Sequence, residues 1–288
     1  MSTLAALLVH VIDYAGLYPP ASLGMREAVS NWVSYSRGAH SWMLGRFIVP
    51  ATRLEELRSE VERLETDLSW KLSVVATGNL SSDLKAIEKV REVRNIRIDA
   101  LEVKIASEKD IFTVSKEVPE DIVLYFESSI DGADNVIGAI SEVKRRAKVR
   151  TGGVTPNAIP SSKALSEFIS SCKKHRVPFK ATAGLHHPLR SVHRLTYEND
   201  SPVGTMHGFL NVFLAAAWIY DGLEPDKAVE LLEERSEASF LFGDEEVRWQ
   251  SSVLPIARII KARENLAISF GSCSFEEPID DLKTLRLL

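Results

Sequence analysis

The sequence predicts an α/β fold, a single (β/α)8 barrel of the TIM type spanning residues 1–288. Three observations carry that expectation. Short apolar runs alternate with amphipathic helical patterns as far as residue 182. The runs are mainly apolar, as strands of a parallel sheet covered on both faces are. Seven or eight such units in a chain of 288 residues suit a closed barrel of about 250 residues better than an open sheet.

Taken in order, residues 7–13 (LLVHVID) read as a first strand, and the Pro19-Pro20 pair forces a loop after it. Met25 to Ser36 has helical spacing through Ala28, Trp32 and Tyr35, and Met43 to Val49 is a strand stopped by Pro50. Leu54, Leu57, Val61 and Leu64 put one apolar stripe on a helix over 53–64. The alternation continues with strands at 72–77, 98–105 and 122–126 and helices at 82–93, 108–117 and 133–147. Residues 148–190 read as strand, glycine loop, helix, strand and glycine loop. Beyond them the rhythm loosens into a long polar loop over 191–203, an apolar helix over 206–220 and a second helix over 226–234. Ser239 to Phe242 is the best eighth strand, 252–263 its helix, and Phe270 to Leu288 a terminal cap.

Composition narrows the function. The net charge of −5 offers no basic field for nucleic acid. No apolar run reaches the roughly 20 residues needed to span a bilayer, and the opening residues lack the basic start of a secretory signal. Cys172 and Cys273 form neither a disulfide framework nor a CxxC pair, so a reducing cytoplasm is expected. No GxGxxG or Walker sequence is present, so no nucleotide cofactor, and no cofactor of any kind, is expected. The apolar helix around Phe213 makes a homodimer plausible.

Barrel enzymes keep their catalytic groups at the carboxyl ends of the strands. Here those ends carry Asp13, Glu102, Lys104, Glu127, Lys148, Arg150, Lys180 and Thr182. In LEVKI, Leu101, Val103 and Ile105 face one way and Glu102 and Lys104 the other, so both charges are expected inside the barrel. Buried charges must pair or meet a charged ligand. With Lys104, Lys148, Arg150 and Lys180 converging, an excess of positive charge is expected, and with it a small anionic substrate, a phosphate or carboxylate. Thr151-Gly152-Gly153 and Gly184 add backbone N–H donors for the same anion. A strand lysine crowded by cations and desolvated has its pKa lowered and can attack a carbonyl. Lys180 is the candidate nucleophile, with a phosphate-binding or salt-bridged lysine as the alternative reading. Glu102, Lys104, Glu127 and Asp13 would handle protons.

The run KVRTGG, a helix and PFKATAG together resemble part of the deoxyribose-phosphate aldolase family of class I aldolases. In that family a strand ending in a TG turn leads through a helix to a strand whose lysine forms a Schiff base. The resemblance covers about residues 148–184. It implies Lys180 as nucleophile, Thr182 and Gly184 in the motif behind it, and Thr151-Gly152 at the earlier turn. Two features depart from the family pattern. Its second lysine, on the next strand, has no counterpart after Lys180, and the His186-His187-Pro188 that follows is foreign to it.

The histidines form a rival constellation. His186 and His187, with His193 and His207 further on, lie in or beside the loop after the seventh strand. His186 and His187 are expected at the substrate rim. An alternative sets His186, His187 and His207, with a carboxylate, around a divalent metal. A barrel that binds anions without catalysis is the third reading.

Overall fold

The computed structural model describes residues 1–64 and 67–288. Seven parallel strands follow one another around the barrel: β1 (Ile12–Tyr14), β2 (Leu44–Pro50), β3 (Trp70–Val75), β4 (Ile96–Lys104), β5 (Val123–Glu127), β6 (Arg146–Arg150) and β7 (Phe179–Thr182). A two-stranded antiparallel hairpin of β8 (Ser191–Arg194) and β9 (Val203–Met206) follows β7. Then come helices Phe209–Asp221 and Pro225–Glu233. A three-stranded antiparallel sheet comes next, made of β10 (Phe240–Phe242), β11 (Glu246–Trp249) and β12 (Ser252–Pro255). The eighth barrel strand is β13 (Ala267–Ser272), which pairs with both β7 and β1 and closes the ring.

The expected (β/α)8 barrel is therefore present, with two elements displaced from their expected places. The first concerns residues 7–13. Leu4, Leu7 and Leu8 lie at helical spacing and are buried on a short helix, Thr3–Leu8, whose end is capped by Ser2 Oγ accepting from Ala5 N–H at 3.2 Å. The chain turns at His10, with φ 49°, before a strand of only Ile12–Tyr14. The second concerns Ser239–Phe242. Phe240 is buried while Leu241 is 63% exposed, the alternation of a sheet with one wet face and not of a barrel strand. Closure falls instead to residues 267–272, part of which the sequence assigns to a terminal cap. The cap itself is the helix Glu276–Thr284.

The other helices form for reasons visible in the sequence. Ser161 Oγ accepts from Ala164 N–H at 3.1 Å and starts helix Ser162–His175. That helix buries Leu165, Phe168, Ile169 and Cys172 and ends at Arg176 in the left-handed region. Helix Phe209–Asp221 is buried from Phe209 to Ile219 by the chain's own elements, with Phe209 stacked on Phe270 at 5.2 Å. Its apolarity thus serves the chain's own core. No helix among the described residues is long and apolar enough to cross a membrane.

Candidate functional site

Charged side chains placed on neighbouring strands meet inside the carboxyl end of this barrel. In the strand register, Lys104 lies beside Glu127, Glu127 beside Lys148, and Lys148 beside Lys180. Parallel neighbours in register share a face, so this row crosses β4 to β7 at one level. Asp13 reaches it from β1 and Glu102 from β4.

The buried groups form an alternating chain of charge. Lys180 Nζ donates to Asp13 Oδ2 at 2.6 Å and to Glu102 Oε1 at 2.7 Å. Lys148 Nζ lies 2.8 Å from Glu102 Oε2 and 2.7 Å from Glu127 Oε2. Arg150 makes longer contacts of 3.4 Å to Glu127 Oε1. Hydroxyls from otherwise apolar strands complete the satisfaction of the carboxylates. Ser73 Oγ donates to Glu102 at 2.5 Å, Ser269 Oγ to Asp13 Oδ2 at 2.8 Å, and the Arg46 N–H to Asp13 Oδ1 at 2.8 Å. Ion pairs this deep persist only when the remaining lone pairs are also engaged. Here they are.

Two expectations about charge are corrected by this geometry. The buried set holds three carboxylates, Asp13, Glu102 and Glu127, against two lysines, so the excess inside is negative. Lys180 is also not crowded by cations. Burial alone would lower its pKa, but the charges of Asp13 and Glu102 reverse the direction and raise it. It is a fixed ammonium with its Nζ 5.6 Å from the centre of the Tyr125 ring. Burial would likewise raise the pKa of Glu102, yet the Lys148 and Lys180 charges lower it, and Lys148 does the same to Glu127.

A cavity of about 440 Å³ opens above this chain. Its walls are apolar, from Tyr18, Pro19, Pro20, Ile48, Leu195 and Met206, and its floor is ionic. Glu102, Glu127 and Lys148 lie on that floor, whereas Lys180 and Asp13 lie beneath it with no exposed surface. Arg150 and Lys104 stand at the rim, both exposed. Lys104 therefore leaves the barrel interior that Glu102 enters, because it is the last residue of β4.

The glycines divide by role. Gly153 and Gly184 line the cavity. Gly152 does not: a Cβ there would lie 2.8 Å from Gly184 Cα, so the ends of β6 and β7 approach backbone to backbone. Thr151 Oγ1 donates to the Ala183 carbonyl at 2.5 Å and locks that approach. Gly184, at φ +78°, turns the chain away. Thr182 lines the cavity.

The three histidines of the metal reading are not brought together. His186 Nδ1 lies 3.0 Å from Glu277, and His187 Nδ1 lies 2.6 Å from Asp281, both on the C-terminal helix. His207 is buried between the Pro160 carbonyl and Arg190, and burial lowers its pKa to about 4. No group of three or more His, Cys, Asp or Glu side chains among the described residues is arranged to hold a metal ion. Only His186 reaches the cavity. His187 stacks on His193 with ring centres 3.3 Å apart.

Sequence reasoning missed Ser73 and Ser269, small hydroxyls inside largely apolar strands. It also missed Glu277 and Asp281, which sit more than ninety residues from their histidines and leave no local signal. No protein-family model, curated protein or solved structure matches the chain, so the likeness of residues 148–184 to deoxyribose-phosphate aldolase rests on those residues alone.

Proposed function

We propose that the chain is a carbon–carbon lyase of the Schiff-base type, acting on an anionic carbonyl compound, with Lys148 as the amine. One observation carries this reading. Lys148 is the strand lysine that is both held between two carboxylates, at 2.8 and 2.7 Å, and in contact with the cavity. Lys180, the amine favoured by the sequence, is sealed beneath the floor between Asp13 and Glu102. With Lys148 in first place, the aldolase-like pattern also gains what it lacked, a second lysine on the next strand, since Lys180 lies beside Lys148 in the register.

The chemistry follows from the positions. Glu102 already accepts from Lys180 and Ser73, whereas Glu127 has only the long Arg150 contacts besides Lys148, so Glu127 is the carboxylate that takes the proton from Lys148. The resulting neutral amine adds to the substrate carbonyl carbon. Loss of water from the carbinolamine leaves a protonated imine. Cleavage of the adjacent carbon–carbon bond sends its electron pair toward that cation, giving an enamine, while a base takes the proton from the departing hydroxyl. Protonation of the enamine and addition of water return the free lysine. Lys180 stays charged throughout and holds Glu102 and Asp13 in place. A cytoplasmic location fits this chemistry.

Reduction with borohydride tests the proposal. Incubated with a panel of small phosphorylated and carboxylated aldehydes and ketones, the protein is expected to gain the mass of one reduced adduct. Lys148→Arg, which keeps the charge between Glu102 and Glu127, is expected to lose the adduct while remaining folded. An adduct that persists in Lys148→Arg, or none with any compound, would overturn the assignment.

A further inference from the structure

A second cavity, of about 490 Å³, adjoins the first on the β4–β6 side of the mouth. The two share three residues, Lys104, Glu127 and Arg150, which form the sill between them. The outer cavity continues past Ser128 and Ser129, after β5, to Asn157 and Ser161. Its character differs from that of the inner one. Where the inner walls are aliphatic and aromatic, the outer walls carry hydroxyls, an amide and the two cations of the sill.

Those cations are under-used. Lys104, the last residue of β4, is exposed and has no hydrogen-bond or ion-pair partner among the described residues. Arg150 is 52% exposed at its side chain, which among the described residues has only Glu127 as a polar partner, through contacts of 3.4 Å that are at the long limit of a hydrogen bond. Glu127 is satisfied on its other oxygen by Lys148. A guanidinium with most of its donors free, beside an unpaired ammonium and the Ser129 hydroxyl, suits an oxyanion of two charges; the Ser128 hydroxyl already donates to the Ser129 carbonyl at 3.1 Å. Asp131 also lines this cavity and opposes such a guest.

We infer that the outer cavity is the seat of the substrate's charged end, a phosphate monoester held by Lys104 and Arg150 with Ser129. The substrate's uncharged body and carbonyl occupy the inner cavity. Lys104 and Lys148 stand two strands apart, on the order of 10 Å between backbones, so the phosphate and the carbonyl are separated by a few bonds. The substrate class is therefore a phosphorylated carbonyl compound that lies across the sill. The identity of the carbonyl half rests on the lyase reading above. The phosphate site does not.

Inorganic phosphate is the probe, titrated by calorimetry at low ionic strength. Wild-type protein is expected to bind one equivalent. Lys104→Ala and Arg150→Ala are each expected to weaken binding about tenfold and the double variant to abolish it. Asp131→Asn is expected to tighten it severalfold. Lys148→Arg is expected to leave it within twofold of wild type. Absence of binding, or binding that survives the double variant, would overturn the inference. If phosphate binds as expected but no adduct forms at Lys148, the lyase reading fails and the phosphate seat stands. If the adduct forms and phosphate binding ignores Lys104 and Arg150, the reverse holds.

Discussion

The two sides of the barrel interior are built from the same residue types and differ in what lies next to them. On the β7–β1 side, Lys180, Asp13 and Ser269 pack with no exposed surface worth the name, and every polar atom named there has a protein partner. On the β4–β6 side, Lys148 and Glu127 make contacts just as short but face a cavity, and Arg150 and Lys104 beyond them are exposed. A lysine between two carboxylates can be a fixed charge or a reagent. Access, more than pairing distance, separates the two.

The contrast can be broken most forcefully through Lys148. Its replacement by arginine is expected to lower lyase turnover by at least about 1,000-fold, the scale on which covalent catalysis is lost when its nucleophile is removed, with the unfolding midpoint nearly unchanged. The same experiment on the sealed side should invert. Lys180→Met leaves Asp13 without its ion-pair partner in the interior and Glu102 with Lys148 alone, and is expected to cost about 3–5 kcal/mol of stability, read from denaturant unfolding. Adding Asp13→Asn should recover part of that loss, because the two residues are directly coupled. If Lys180→Met proves as stable as wild type, the sealed side is not the scaffold described here.

A smaller effect concerns acid. His207 is held neutral by burial, with its pKa near 4 against an ordinary value of 6.5. The unfolded chain takes up a proton there first, so stability falls as the pH drops from about 6.5 to about 4, by at most on the order of 3 kcal/mol. Glu127 and Glu102, whose pKa values are lowered, add a further loss below the normal carboxylate range. Thermal melts of wild type and His207→Gln across pH 7 to 4 should show a flatter profile in the variant. A wild-type profile that is flat over that window would contradict the burial argument. Smallest of all, removing the surface partner of Asp134 in Lys174→Ala should change stability by less than about 1 kcal/mol, since both groups are largely in water.

The barrel was legible because its strands are largely apolar and its helices carry clear stripes, as at Leu54, Leu57 and Val61. It failed to be legible where local patterns compete. Residues 4–8 satisfy a helix as well as a strand, and FLF at 240–242 looks like a barrel strand until its middle residue is seen to face solvent. Seven of the site's charges were readable from strand ends, but their hierarchy was not. Whether Lys148 or Lys180 meets the cavity depends on strand stagger and on which loops cover the mouth, and neither is written in local spacing. The opposing carboxylates, drawn from β1, β4 and β5, turn an expected cationic cluster into a buried set in which they outnumber the lysines, a property of closure that no single segment carries.

The most direct measurement is a peptide map of the protein after borohydride reduction with a phosphorylated carbonyl compound. The reduced adduct is expected on the peptide containing Lys148 and none on Lys180. An adduct on Lys180, with Lys148 unmodified, would contradict that assignment.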